Sequence, residues 1–465
     1  MNQQKALEKF FNLIIDYQNQ IEDKNNKVSN YLTPKELKKA FDFSIKREGA
    51  KFNDLLSDIE EYLHHAVKTR SSNFFNQLFG GNNIPALMGD ILTSITNTSM
   101  YTYEVAPLAT IMELELVQKM CKKIGYKSGE GTFVTGGSNT NLMAMLCARN
   151  ILHNTTKKSG IKRKFTAFTS EHCHYSIPKA ANIIGIGEDN LIKIKTNKNG
   201  QLISKELDVA IYKSKQKGEI PFFISATAGT TKIGAIDPLE EISAIAKKHK
   251  LWFHIDGSWG GSILLSNKHK KLLKGSHLAD SFSWNPHKLM NIPLICSVFL
   301  LKKQGILEKV VATPNADYLF HEHDFDEFDL GKYSIQCGKR ADSLKLWMAW
   351  KFFGDQGYNE RINRLFDMAK HATNIIVKHP KLELLKPTQT LNVNFRYIPK
   401  NKKDVCNFNL MVRNCLAKKG GSMVNYCSID NNISIRFVLL NPDANIKGVN
   451  DFFNAFLSEA EMLDK

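Results

Sequence analysis

The sequence predicts an α/β protein, and three observations carry that reading. Short apolar runs bounded by turn residues recur through the middle of the chain, at Phe165–Thr169, Phe222–Ser225 and Leu251–Ile255. Runs of this length, rich in aromatic and β-branched side chains, read as buried strands. Strong helix formers lie between them, most clearly Leu142–Arg149. The third observation is scale: 465 residues, 43% hydrophobic and 23% charged, give a globular composition with chain enough for more than one structural unit.

The elements follow in order. Residues 1–75 read as mostly helical. They open on an amphipathic helix with Leu7, Phe10, Phe11, Ile14 and Ile15 at helical spacing. Acids interrupt it and no small-residue cleavage site follows, so a docking or dimer element is expected rather than a signal peptide. Residues 76–345 read as the large α/β domain, and residues 346–465 as a smaller C-terminal α+β domain entered through a helix at Ser343–Trp350. No apolar run approaches the length of a membrane span. Eight cysteines without framework spacing suit a reducing cytoplasm. No Cys or His cluster has metal-ligand spacing, so no metal is expected.

A net charge of +17 raises a different class of function, a nucleic-acid or membrane-surface binder. The basic clusters are Lys157-Lys158, Lys162-Arg163-Lys164 and Lys268 to Lys274. They fall between the apolar runs, where solvated helix ends and loops are expected, and no nucleic-acid motif accompanies them. The charge is read as a surface bias, with neither nucleic acid nor membrane as partner.

Chemistry concentrates in two later segments. Lys288 closes the run Ser283-Trp284-Asn285-Pro286-His287-Lys288, and Asp256 stands in His254-Ile255-Asp256-Gly257-Ser258-Trp259. A lysine amine anchors an aldehyde as an imine, and a buried carboxylate keeps a pyridine nitrogen protonated. Together they are the minimum equipment for pyridoxal phosphate (PLP) chemistry. Asp256 falls at a strand's C-terminal end, where open α/β sheets bind ligands. Singly, an Asp there is ordinarily a turn residue and a Lys a solvated group. Three further features outweigh that reading. Thr132–Asn141 leads into a helix, with Gly136 and Gly137 allowing close backbone approach and Ser138, Asn139 and Thr140 as expected caps. It is neither a dinucleotide fingerprint nor a Walker loop. His174, after the strand Phe165–Thr169, offers an imidazole to stack on a planar ring. The run Phe222–Thr231 reads as a strand ending in hydroxyl and glycine residues.

Five runs occur in one order: Phe74-Phe75-Asn76-Gln77-Leu78, Tyr101 to Pro107, Ser225 to Thr231, Asn285-Pro286-His287-Lys288 and Gln336-Cys337-Gly338. On these the chain resembles the group II PLP-dependent decarboxylases, in the branch of glutamate and cysteine sulfinate decarboxylases. The resemblance runs from roughly position 50 to the C-terminus. It implies a PLP fold-type I (aspartate aminotransferase-like) large domain with a mixed sheet, and an obligate homodimer with sites at the subunit interface. It implies α-decarboxylation of a short acidic L-amino acid (aspartate, cysteine sulfinate or glutamate) to the amine and CO2. Lys288 would be the Schiff-base lysine, Asp256 the partner of the pyridine nitrogen, and His174 the stacking and proton-handling residue. Thr227, Ser258 and His287 would lie beside the cofactor. Gly137, Ser138 and Asn285 would hold the phosphate, with Cys337 and Gly338 approaching from the partner subunit. Gln77 and Arg436 would bind the substrate's two acidic ends. Without the resemblance, Arg436 reads as a solvated strand position opposite Ile435 and Phe437.

The chain also departs from that family. Members carry a loop tyrosine, ahead of the Gln-Cys-Gly block, that returns a proton to the product. Here Phe325 or Phe328 falls at that place within Tyr318–Asp329. A phenyl ring has no proton to give, so His321, His323 or Tyr333 is the expected substitute. The missing phenol opens a runner-up chemistry, decarboxylation with oxidative deamination or transamination to an aldehyde. Gly257-Ser258 stand where Ala-Ala is usual, and Ile295 stands for a glutamine.

Overall fold

The computed structural model describes residues 2–22, 27–313, 318–320, 324–401, 404–441 and 443–465; His321 and His323 lie outside them. The strands, in chain order, are β1 (Phe74–Phe75), β2 (Glu130–Val134), β3 (Phe165–Ser170), β4 (Leu191–Ile194), β5 (Ile220–Thr227), β6 (Trp252–Gly257), β7 (Ser281–Trp284), β8 (Ser297–Leu301), β9 (Leu382–Leu384), β10 (Asn392–Tyr397), β11 (Met423–Ile429) and β12 (Asn432–Val438). They form a seven-stranded sheet, ordered β2-β8-β7-β6-β5-β3-β4, and a five-stranded sheet, ordered β1-β11-β12-β10-β9.

In the larger sheet β8 runs antiparallel to β2 and β7, and the remaining pairs are parallel. The sheet is therefore mixed, as the resemblance implies. Its central strands are buried along their whole length, which explains their unbroken apolar reading: both faces are covered. Met143, Ala144, Cys147 and Ala148 of the helix Gly137–Leu152 pack in one cluster with Phe165, Phe222, Trp252 and Phe299. Burying each such aromatic contributes about 1.5–3 kcal/mol, and truncating Phe222 to alanine costs about 3–5 kcal/mol. Register does the rest. Pairing of β5 with β6 sets Thr227 opposite Asp256, and pairing of β6 with β7 sets Asp256 opposite Ser283.

By compactness the chain forms two units where the sequence suggested three. One holds residues 82–367 and 386–392; the other holds residues 1–81, 368–385 and 393–465. The N-terminal helices thus share a unit with the C-terminal sheet. The expected boundary at 345 falls inside the helix Ser343–Lys378, whose bend sits at Gly354 (φ 63°). The opening helix Gln3–Glu22 turns Leu7, Phe11 and Ile15 outward. Among the described residues no helix is long and apolar enough to cross a membrane.

Candidate active site

The parallel strands deliver their functional residues at one edge. β3 leads to His174, β5 ends on Thr227, β6 carries Asp256 near its end, and β7 leads to Asn285, His287 and Lys288. The helix after β2 begins at Gly137 on the same edge. These ends enclose a cavity of about 200 Å³. Its walls include Gly137, Ser138, His174, Thr227, Asp256, Ser258, Asn285, His287 and Lys288, all expected from the sequence. Asn141, Gly229, Thr231 and Trp259 join them; the sequence reading gave these four no role.

Asp256 is buried and well held. Its Oδ1 accepts the Ser258 N–H at 3.0 Å, and its Oδ2 accepts from Asn141 Nδ2 at 2.9 Å. Burial opposes ionisation, yet the Ser258 bond, the Lys288 charge, Asn141 and His174 together outweigh it and hold the carboxyl below its ordinary range. His174 is shifted the other way. Burial disfavours its charged form, Asp256 partly offsets this, and Lys288 and Lys179 add to the depression. Its Nδ1 lies 2.8 Å from Ser176 Oγ. Burial also takes His287 down to about 3, with Lys288 and Lys345 contributing, so that ring is neutral at neutral pH.

Whether these residues fit PLP is tested by what lacks a partner. Ser258 Oγ and Asn285 Oδ1 are buried with no hydrogen-bond partner among the described residues. A Cβ built on Gly137 would come within 2.7 Å of Asn285 Nδ2 and 2.8 Å of Ser258 Oγ. A glycine cradle faced by polar atoms, at the N-terminus of a sixteen-residue helix, suits a phosphate. The buried, ionised Asp256 and the cavity-lining Lys288 suit the ring nitrogen and the aldehyde. The residues fit the cofactor.

One local expectation is corrected. Ser138, Asn139 and Thr140 do not cap the helix; they lie in its first turn. The N-cap is Gly136, at φ 106°, with no side-chain capping bond. Only glycine takes that conformation readily, so the helix starts earlier than the apolar pattern indicated.

Other expected residues lie apart from the cavity. Cys337 and Gly338 are exposed, and Cys337 lines a second cavity with Tyr101, Phe320 and Lys332. Gln336 Nε2 donates to Thr135 Oγ1 at 3.1 Å. Arg436 and Gln77 belong to the smaller unit. There Arg436 is not a solvated strand position: it is 7% exposed, and its Nη2 donates to the Asn76 carbonyl at 3.1 Å. That bond brings it beside exposed Gln77. Phe325 and Phe328 both pack on Tyr103, with ring centroids 5.7 and 5.6 Å away. The Tyr333 hydroxyl donates to the Glu327 carbonyl at 3.4 Å. None of these three lines the cavity around Lys288.

Comparisons with known proteins agree with this geometry. Residues 34–398 match the model of the pyridoxal-dependent decarboxylase conserved domain. The chain is 39% identical over 418 residues to the acidic amino acid decarboxylase GADL1 of Xenopus tropicalis, covering 87% of this chain and 82% of that one. It is 38% identical over 416 residues to the cysteine sulfinic acid decarboxylase of Mus musculus, covering 86% and 84%. The crystal structure of mouse CSAD in apo form superposes with a TM-score of 0.94 at 35% identity, over 99% of this chain and 98% of that one. The chain therefore belongs to the pyridoxal-dependent decarboxylases, in the glutamate and cysteine sulfinate decarboxylase branch, and is an amino-acid decarboxylase that works with pyridoxal 5'-phosphate.

Proposed function

We propose that the substrate is a short acidic L-amino acid (aspartate, cysteine sulfinate or glutamate) and that the products are its amine and CO2. The observation that carries this reading is Arg436: a buried guanidinium bonded beside Gln77 in the smaller unit. A planar fork of donors suits a carboxylate or sulfinate. The relatives named acidic amino acid decarboxylase and cysteine sulfinic acid decarboxylase support the same class.

Lys288 Nζ carries the cofactor and Asp256 holds the ring nitrogen protonated. When bound, the cofactor supplies a sink for the electrons of the broken Cα–carboxylate bond. Gly137, Ser138 and Asn285 hold its phosphate; Thr227, Ser258 and His287 flank it. His174, on the wall of the same cavity, would stack on the cofactor and handle protons near the reacting carbon. Arg436 and Gln77 fix the substrate's acidic groups, and that orientation decides which bond breaks. Cys337 and Gly338 complete the partner subunit's site in a cytoplasmic homodimer.

The absence of a hydroxyl at Phe325 and Phe328, both packed on Tyr103, favours a second reading in which decarboxylation with oxidative deamination gives the aldehyde, dioxygen taking the two electrons to become hydrogen peroxide and water releasing the nitrogen as ammonia. One assay separates the two. Each acid is supplied to the PLP-loaded protein, and CO2, amine and aldehyde are measured separately. Amine matching CO2 is expected; stoichiometric aldehyde would replace the first reading with the second. Turnover of none of the three acids would reject both.

A further inference from the structure

We propose that Asn141 is a positioning residue that sets both Asp256 and His174, and that a hydrogen-bond chain starting at Trp252 fixes its orientation. The proposal rests on the roles given above to Asp256 and His174, and it follows from counting hydrogens. Trp252 Nε1 can only donate, and it does so to Ser281 Oγ at 2.8 Å. Ser281 Oγ keeps one lone pair and its hydrogen for His254 Nδ1, also 2.8 Å away. The hydrogen goes there because the Asp256 carboxylate only accepts, so Asn141 Nδ2 faces it and Asn141 Oδ1 must accept from His254 Nε2. His254 is fully buried, and burial pushes it down to about 4, so its ring is neutral. With Nδ1 accepting, the one ring proton sits on Nε2 and is given to Asn141 Oδ1 at 3.0 Å.

The neighbours agree with that direction. Thr140 spends its hydroxyl hydrogen on the Gly137 carbonyl at 2.7 Å, so it can only accept from Ser283 at 2.7 Å. Ser283 Oγ also lies 3.1 Å from Asn141 Oδ1, but its one hydrogen goes to the nearer Thr140, which leaves His254 as the donor to Oδ1. On its other side, Asn141 Nδ2 spends one hydrogen on Asp256 Oδ2 at 2.9 Å and the second on Ser176 Oγ at 2.8 Å. The Ser176 backbone N–H, which can only donate, lies 3.3 Å from His174 Nδ1, so Nδ1 accepts and Ser176 Oγ gives it its own hydrogen as well. An accepting Nδ1 leaves the His174 proton on Nε2. Turning the Asn141 amide over would point an oxygen at the Asp256 carboxylate and break the bond from His254. One side chain thus keeps Asp256 an acceptor and His174 in a single tautomer. The Ser281 backbone also favours a proton on the His254 ring. If that proton sat on Nδ1 the chain would run in reverse, and this is what the experiment reads.

Nitrogen NMR of the full chain with isotope-labelled histidine, with and without PLP, reports the tautomers. His174→Gln and His254→Gln assign the two signals. Nε2–H is expected for both in the unmutated protein at neutral pH; Nδ1–H at either overturns the proposal. Asn141→Asp removes both amide donations. It is expected to weaken PLP affinity on the order of tenfold to a hundredfold, by loss of a bond to a charged group, and to mix the His174 tautomers. A folded Asn141→Asp protein with unchanged affinity and tautomer also overturns it. Ser176→Ala is expected to move the His174 signal alone, with PLP affinity kept within roughly threefold; an unmoved His174 signal contradicts the branch through Ser176. If the tautomers are as expected but PLP is fixed to a lysine other than Lys288, the network stands and the catalytic reading fails. The converse pair of results fails the network alone.

Discussion

Replacing Asp256 by asparagine probes the site with almost no change of shape. The carboxylate accepts two bonds, from the Ser258 N–H at 3.0 Å and from Asn141 Nδ2 at 2.9 Å. An amide keeps one of them and turns its own NH2 toward the other donor. Asn141 cannot turn over in response without losing the bond from His254 Nε2. One buried donor is stranded, costing about 1–3 kcal/mol, and a charge-assisted bond to the cofactor's ring is lost, costing about 1.5–3 kcal/mol more. The sum, about 2.5–6 kcal/mol, corresponds to roughly two to four orders of magnitude divided between PLP affinity and kcat. Fluorescence titration of apoprotein with PLP reads the first part, and initial rates at saturating PLP read the second. A variant that binds PLP normally and keeps kcat within roughly threefold of the unmutated enzyme would refute the reasoning.

Three further outcomes follow from the same geometry. Gly137→Ala puts a methyl group 2.7 Å from Asn285 Nδ2 and 2.8 Å from Ser258 Oγ. PLP affinity should fall on the order of tenfold or more while the melting temperature of apoprotein moves by only a few degrees; titration and calorimetry check the two parts. Arg436→Lys keeps the charge but loses the planar fork, so KM for an acidic substrate should rise roughly tenfold to a hundredfold with kcat less affected. An unchanged KM would remove Arg436 from the substrate site. Apoprotein stability should fall between about pH 7 and pH 5, because unfolding lets His254 and His287 take up protons they refuse when folded, at about 2 kcal/mol each. Asp237 works in the opposite sense, since burial raises it to about 6 and folding then favours its proton, returning about 1 kcal/mol over the same range. Urea midpoints at the two pH values should show the net loss; a higher midpoint in acid would contradict it.

The parts of the site that repeat a local pattern were legible in the sequence. Asp256 follows an apolar strand, Gly137 opens a helix, and Lys288 ends a distinctive run, so each carries its signal within a few residues. The partners that hold them do not. Trp252 and His254 read only as part of a buried strand and Ser281 carries no signal, and their alignment on Asn141 exists only because β6 pairs with β7 in one register. Ser138 was misplaced because Gly136 starts the helix through a conformation that apolar spacing does not report. The burial of Arg436 was hidden for a related reason. Alternation told which face of β12 it occupied, but not that Asn76 would cover that face. The division into units was hidden as well, because the smaller one is assembled from segments hundreds of positions apart.

The central claim is that Lys288 anchors the cofactor in the cavity closed by Gly137, Asp256 and Asn285. Borohydride reduction of the PLP-loaded protein, followed by peptide mapping, tests it directly. The account predicts one pyridoxyl group per chain, on the peptide containing Lys288, and none after Lys288→Ala. A label on another lysine, or no label on protein that decarboxylates its substrate, would contradict it.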